Sequence, residues 1–224
     1  MHIIWQGQSC FQILASRNKE QVSILIDPFD ETVGLKVPFL SADILCITHD
    51  HRDHNNKKAV KGPSAGSGQE KTFLIDGPGE YEVKEVFIQG ISAFHDDEQG
   101  AKRGSNTIYT IEAEGMRLCH LGDLGERELT AEQLEEIGDV DILMIPVGGV
   151  YTISAKEAGK IISQIEPRVV IPMHYSLPKL KVKLEGVDKF LKEMGKKSVE
   201  TLPKLLIKQA QLPEEETKII VLQP

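Results

Sequence analysis

The chain opens as a series of short apolar runs broken by turn residues, the pattern of β-strands. Runs at 23–26, 43–48, 72–75, 85–88, 106–111 and 116–119 are rich in Ile, Leu, Val, Phe and Thr and predict strands. Gly77-Pro78-Gly79, Gly90, Gly104 and Gly115 read as the turns between them. The period then changes. Thr130-Ala131-Glu132-Gln133 and Ser154-Ala155-Lys156-Glu157 are capping boxes, in which two side chains satisfy each other's free backbone donors. They predict helices running to about 137 and about 165, the second stopping before Pro167. Within that second helix Ala158, Ile161, Ile162 and Ile165 recur on one face, which seeks a core. A buried strand at 168–172, a helix at 187–194 and a terminal strand at 218–222 complete the pattern.

Alternating strands and helices, several strands apolar throughout, indicate an α/β protein. No shift in composition divides it, so 1–224 reads as a single domain. The low-complexity stretch 61–71 reads as a mobile surface loop.

Charge and composition narrow the function. Thirty-four acidic against 26 basic residues leave a net charge of −8, which argues against long nucleic acids and anionic membranes. No apolar run approaches the ~18 residues of a membrane span. The N-terminal residues lack the basic and apolar regions of a secretory leader, so a cytoplasmic location is expected. Cys10, Cys46 and Cys119 are widely spaced in apolar surroundings and read as small buried hydrophobes. A homo-oligomer is compatible with all of this.

The histidines change the picture most. Thr48-His49-Asp50-His51-Arg52-Asp53-His54 concentrates three imidazoles and two carboxylates directly after an apolar strand. Ligands of α/β folds collect at that edge. Alternate residues on an extended segment point the same way, so His49 and His51 can hold one ion together. Asp53 and His54 follow the turn of the chain and can face a second. Imidazole suits zinc, and the carboxylates also tolerate manganese or iron. His95, Asp123 and His174 each follow another strand-like run, as further ligand types at the same topological place.

These residues resemble a known family. Trp5-Gln6-Gly7-Gln8-Ser9-Cys10-Phe11, Ile26-Asp27-Pro28-Phe29, the 48–54 histidine motif, Gly77-Pro78-Gly79-Glu80-Tyr81, His120-Leu121-Gly122-Asp123, Pro146-Val147-Gly148-Gly149 and Ile171-Pro172-Met173-His174-Tyr175 are similar, in order, to segments of the metallo-β-lactamase fold superfamily. The branch is that of bacterial and archaeal metal-dependent hydrolases, including sugar-phosphate lactonase-like proteins. The resemblance implies a four-layer αββα sandwich with a metal site at one edge of its two sheets. It implies one ion on His49, His51 and His95, a second on Asp53, His54 and His174, and Asp123 bridging them. Asp27 and His120 would orient the ligands through hydrogen bonds; a histidine bonding a neighbouring carbonyl is the plainer reading of His120. Gln8 and Glu126 depart from the family pattern, which weakens transfer of any particular substrate.

The expected chemistry is metal-assisted hydrolysis, in which a hydroxide bridging two divalent ions attacks an electrophilic carbonyl or phosphorus. Asp53 would orient that nucleophile or take its proton in addition to holding metal. With two aspartates and a hydroxide the centre carries about +1, which favours a small anionic substrate. Cleavage of an ester or lactone is the first expectation. A phosphodiesterase acting on a small nucleotide or cyclic phosphodiester, and a metal-binding module without turnover, are the alternatives. Tyr81, Asn106, Tyr151 and Tyr175, and a polar loop carrying Lys102 and Arg103, fall near the expected site and are either substrate contacts or structural.

Overall fold

The structure, a computed structural model, describes residues 1–17, 20–38, 40–65, 68–69 and 71–224. Two large mixed sheets dominate it. The first has six strands in the order Leu205–Leu206, His2–Gly7, Cys10–Arg17, Glu20–Ile26, Ile44–Cys46, Phe73–Ile75. The second has eight, in the order Gly79–Val83, Val86–Phe94, Ser105–Ala113, Met116–His120, Ile142–Pro146, Val169–Met173, Lys218–Leu222, Glu200–Leu202.

The alternation of strand side chains explains how the sheets stack. Ile3, Trp5, Phe11, Ile13, Ile24 and Ile26 of the first sheet share one core with Ile88, Ile91, Ile108, Ile111 and Leu118 of the second. Between Ile24 and Ile26, Leu25 points to the other face, where it meets Cys10, Phe29, Val33, Leu45 and Ile47. That outer layer is built from loops and the 3-10 turn Glu31–Val33. Over the second sheet lie α1 (Ala131–Ile137) and α2 (Ala155–Ile165), each opened by the expected capping box. The predicted inward face of α2 is buried, and α3 (Val187–Glu193) packs beside it. The architecture is the expected αββα sandwich, with its outer layer on the first sheet thin.

Three expectations change. Gly90 is no turn. It lies within Val86–Phe94, where a Cβ would stand 2.7 Å from the Gly77 carbonyl oxygen, so close backbone approach explains the glycine. The strand expected at 43–48 stops at Cys46 because the Thr48 N–H turns to the Asp27 carboxylate, at 2.8 Å, rather than to a neighbouring strand. The hairpin His2–Gly7 with Cys10–Arg17 extends the first sheet beyond the runs read from pattern. The mobile loop expected at 61–71 falls partly on residues 66, 67 and 70, outside the described residues. Ser64–Ala65 there pairs with Gly68–Gln69.

The crossovers place the site. Met116–His120, Ile142–Pro146 and Val169–Met173 run parallel in register, with α1 and α2 in the connections. Their C-terminal ends therefore lie side by side, and Asp123 and His174 follow two of them. Cys10, Cys46 and Cys119 are buried free thiols, and burial pushes each thiol pKa upward, as expected of inert core residues.

Candidate metal centre

Each candidate ligand is set by a specific local device. After His51 the chain folds into a turn, with the His54 and Asn55 N–H groups donating to the His51 carbonyl at 3.0 and 2.9 Å. This reverses the chain, so that the His49 ring faces both His51 and His54, at centroid separations of 4.6 and 4.1 Å. Asp123 follows Gly122, whose φ of +57° and lack of a Cβ let the turn pass Asn106 and Thr48. His174 itself adopts φ +51°, and its N–H donates to the Gln8 carbonyl at 3.1 Å. Gln8 and Asp27 share this left-handed backbone, so strain collects at the site.

The structure brings all seven candidates together. His49, His51 and His95 present ring nitrogens within 4.8 Å of one another, and Asp53, His54 and His174 form a second such trio. Between the trios stands Asp123. Its Oδ2 lies 3.2 Å from His174 Nε2, 3.3 Å from His54 Nε2 and 3.5 Å from His95 Nε2. Asp53 Oδ2 is 3.5 Å from His54 Nε2 and accepts from Gln8 Nε2 at 3.4 Å.

Hydrogen bonds behind the ligands decide which nitrogens are free. The Asp27 carboxylate can only accept, so Thr48 Oγ1–H donates to its Oδ2 at 2.6 Å. The same hydroxyl, 2.9 Å from His49 Nδ1, must then accept from that ring and leave His49 Nε2 as the lone-pair nitrogen. His54 Nδ1 donates to Asp27 Oδ2 at 3.0 Å, freeing its Nε2 in the same way. Both Nε2 atoms are buried without a hydrogen-bond partner, as are both ring nitrogens of His174 and Nδ1 of His95. Buried unpaired ring nitrogens are costly in a metal-free protein, and a cation would satisfy the lone-pair nitrogen of each ring. A third trio, Asp27 with His49 and His54, also lies within 4.8 Å. There, however, Asp27 is already occupied by Thr48 and His54.

Electrostatics agree with this fit. Burial, helped by the neighbouring His54, pushes His49 down to about 2, and burial also lowers His95 and His174. These rings are neutral, as ligands must be. His54 differs: burial opposes its charge, but in the metal-free site the Asp123 and Asp27 carboxylates outweigh burial and hold its pKa well above the usual value, so an ion at Nε2 would bind in exchange for a proton. Burial would raise Asp123; His174 and His54 overcome it and keep the carboxylate ionised.

Several contacts were invisible in sequence. Ser9 Oγ donates to Asp123 Oδ1 at 3.0 Å, and Thr48 links Asp27 to His49. Asn106 Nδ2 donates to the Leu121 carbonyl while its Oδ1 accepts from the Asp123 N–H, so its amide is spent holding the 121–123 turn. His120 takes the plainer role. Its Nε2 donates to the Ser9 carbonyl and its Nδ1 accepts from the Gly122 N–H, with no bond to a candidate ligand. Tyr81 and Tyr175 donate to the carbonyls of Gly77 and Leu222, as structural residues. Glu126 accepts from the Phe94 N–H and bonds Gln133, bracing the chain before His95. Among the four candidate substrate contacts, Tyr151 alone is exposed.

Comparison with known proteins agrees with the fold. Residues 2–174 match the family model of the β-lactamase superfamily domain. A UPF0173 metal-dependent hydrolase of Thermococcus onnurineus is 30% identical over 190 residues, spanning 76% of this chain and 82% of that protein. A Thermotoga maritima structure, assigned as a Zn-dependent hydrolase of the metallo-β-lactamase superfamily, is 35% identical. It covers 99% of both chains with a TM-score of 0.75. A metallo hydrolase of Ignicoccus hospitalis shares the fold at 22% identity, a TM-score of 0.61, and 100% and 95% coverage of this chain and that one. The chain belongs to the metallo-β-lactamase superfamily, in the group of the UPF0173 metal-dependent hydrolases.

Proposed function

We propose that this protein holds two divalent ions, zinc in the first instance, and cleaves an ester or lactone bond in a small anionic metabolite. The observation that carries the reading is the position of Asp123, one carboxylate within 3.5 Å of ring nitrogens from both trios. When bound, two such ions supply hydroxide at neutral pH and neutralise the oxyanion that develops on the substrate.

The chain's own residues do the rest. Asp123, braced by Ser9, keeps the two trios at a common distance. Asp53 is half-exposed and its carboxylate faces the cluster, where it can orient the attacking water and take its proton. His51, exposed beside buried His49, marks the side from which substrate approaches.

The test compares chelator-sensitive hydrolysis of a sugar-phosphate lactone and of an activated phosphodiester by zinc- and manganese-reconstituted protein. Lactone cleavage with little phosphodiester cleavage supports the proposal. The reverse preference would replace it with a phosphodiesterase.

A further inference from the structure

Five arginine side chains are described, and three of them are committed to carboxylates. Arg117 pairs with Glu112, Arg127 with Asp97 and Glu157, and Arg168 with Asp141. Arg52, on the histidine loop, and Arg103, on the loop after His95, have no carboxylate partner among the described residues. Arg52 is exposed. Arg103 is half-buried, with its guanidinium 5.5 Å from the centroid of the Tyr151 ring. A half-buried cation left without a counter-charge beside a candidate active site needs an explanation.

The mounting of Arg103 is unusually rigid for a surface loop. Asp96, immediately after His95, accepts backbone N–H groups from Glu98, Gly100, Lys102 and Arg103 at 2.7–2.9 Å. The His95 N–H donates to the Gly104 carbonyl at 3.0 Å and closes the loop at its base. The Arg103 backbone is therefore held at a fixed offset from that of a candidate ligand. The loop that carries exposed Tyr151 is held at both ends. A Cβ on Gly148 would stand 2.1 Å from the His174 carbonyl oxygen, and the Ile153 N–H donates to Leu124, next to Asp123. The Arg103–Tyr151 pair thus spans two loops anchored at His95 and at His174.

We propose that Arg103, stacked on Tyr151, is the residue that recognises the anionic group of the substrate, a carboxylate or a phosphate. This rests on the reading of the site as a hydrolase of a small anionic metabolite. A guanidinium lying on an aromatic ring keeps its planar fork of donors free for two oxygens of one oxyanion. The ring and the Asp96-braced backbone settle its orientation before the ligand arrives, which lowers the entropic cost of binding. Neighbouring Lys102 is a poorer candidate, since it is exposed and paired with Glu98 at 2.5 Å.

The test has two readouts on zinc-loaded protein. The first is the ratio of kcat/KM for an activated ester bearing a carboxylate, mono-4-nitrophenyl glutarate, to that for neutral 4-nitrophenyl butyrate. The ratio should fall roughly tenfold or more in Arg103→Met, mainly through KM, with Arg103→Lys intermediate and Lys102→Met near wild type. The second is calorimetric affinity for glutarate and for inorganic phosphate, which shows whether carboxylate or phosphate is preferred. It should weaken by a similar factor in Arg103→Met. Equal ratios and equal affinities in wild type and Arg103→Met would overturn the proposal while leaving the hydrolase standing. Hydrolysis of neither ester by the wild type would count against the hydrolase, and calorimetry alone then decides whether Arg103 binds anions.

Discussion

Asp27 Oδ2 lies 3.0 Å from Nδ1 of His54, 27 residues along the chain, and both side chains are fully buried. The same oxygen receives the Thr48 hydroxyl, which in turn accepts from His49. One carboxylate thereby sets the tautomers of a histidine from each trio without itself facing the candidate ions. Asp27→Asn should weaken zinc affinity about 10- to 100-fold, as for other residues that orient metal ligands. Competition against a chromophoric chelator measures this, and an unchanged affinity would remove Asp27 from the account.

Gly122 has φ +57°, and a Cβ there would fall 2.3 Å from Asn106 Oδ1 and 2.9 Å from Thr48 Cβ. Gly122→Ala should cost more than about 1 kcal/mol. In a chain of this size that lowers Tm by at least about 2–4 °C. Because the turn carries Asp123, zinc affinity should fall with it. A thermal melt with wild-type Tm would show that the turn can relax around the methyl group.

The pattern of strands, the capped helices and the ligand-type residues at strand ends were legible because each is a local signal. Thr130 with Gln133 and Ser154 with Glu157 act over one helical turn, and His49 to His54 fall within six residues. What escaped was long-range. Ser9 reaches Asp123 across 114 positions, and nothing around Ser9 marks it as a partner. Gly90 shows the converse failure. Its local reading as a turn is overruled by the approach of the Gly77 backbone, a tertiary contact that no window of sequence contains.

Asp96 titrates with a definite sign. Burial raises its pKa, but N–H donors from Arg103, Glu98, Lys102 and Gly100 more than offset this and bring it down to about 2. A carboxylate whose pKa is depressed on folding adds stability above its unfolded value, near 3.9. That contribution is lost as pH falls from about 4 through about 2. In metal-free protein, Asp96→Asn should therefore lower Tm at pH 6, and the gap to wild type should close on acidification over that window. A gap independent of pH would place the stabilisation elsewhere.

Asp53→Ala should abolish turnover while leaving the fold intact, since the carboxylate is half-exposed and its contacts are Gln8 and His54. Wild-type hydrolysis in this variant, measured with whichever ester proves to be cleaved, would refute the role given to Asp53.

The central claim is that Asp123 joins two ligand trios into one dinuclear centre, and metal stoichiometry tests it most directly. Plasma mass spectrometry of zinc-reconstituted, desalted protein should give about two ions per chain, falling to about one in His174→Ala. One ion or fewer per wild-type chain, or no loss in His174→Ala, would contradict the account.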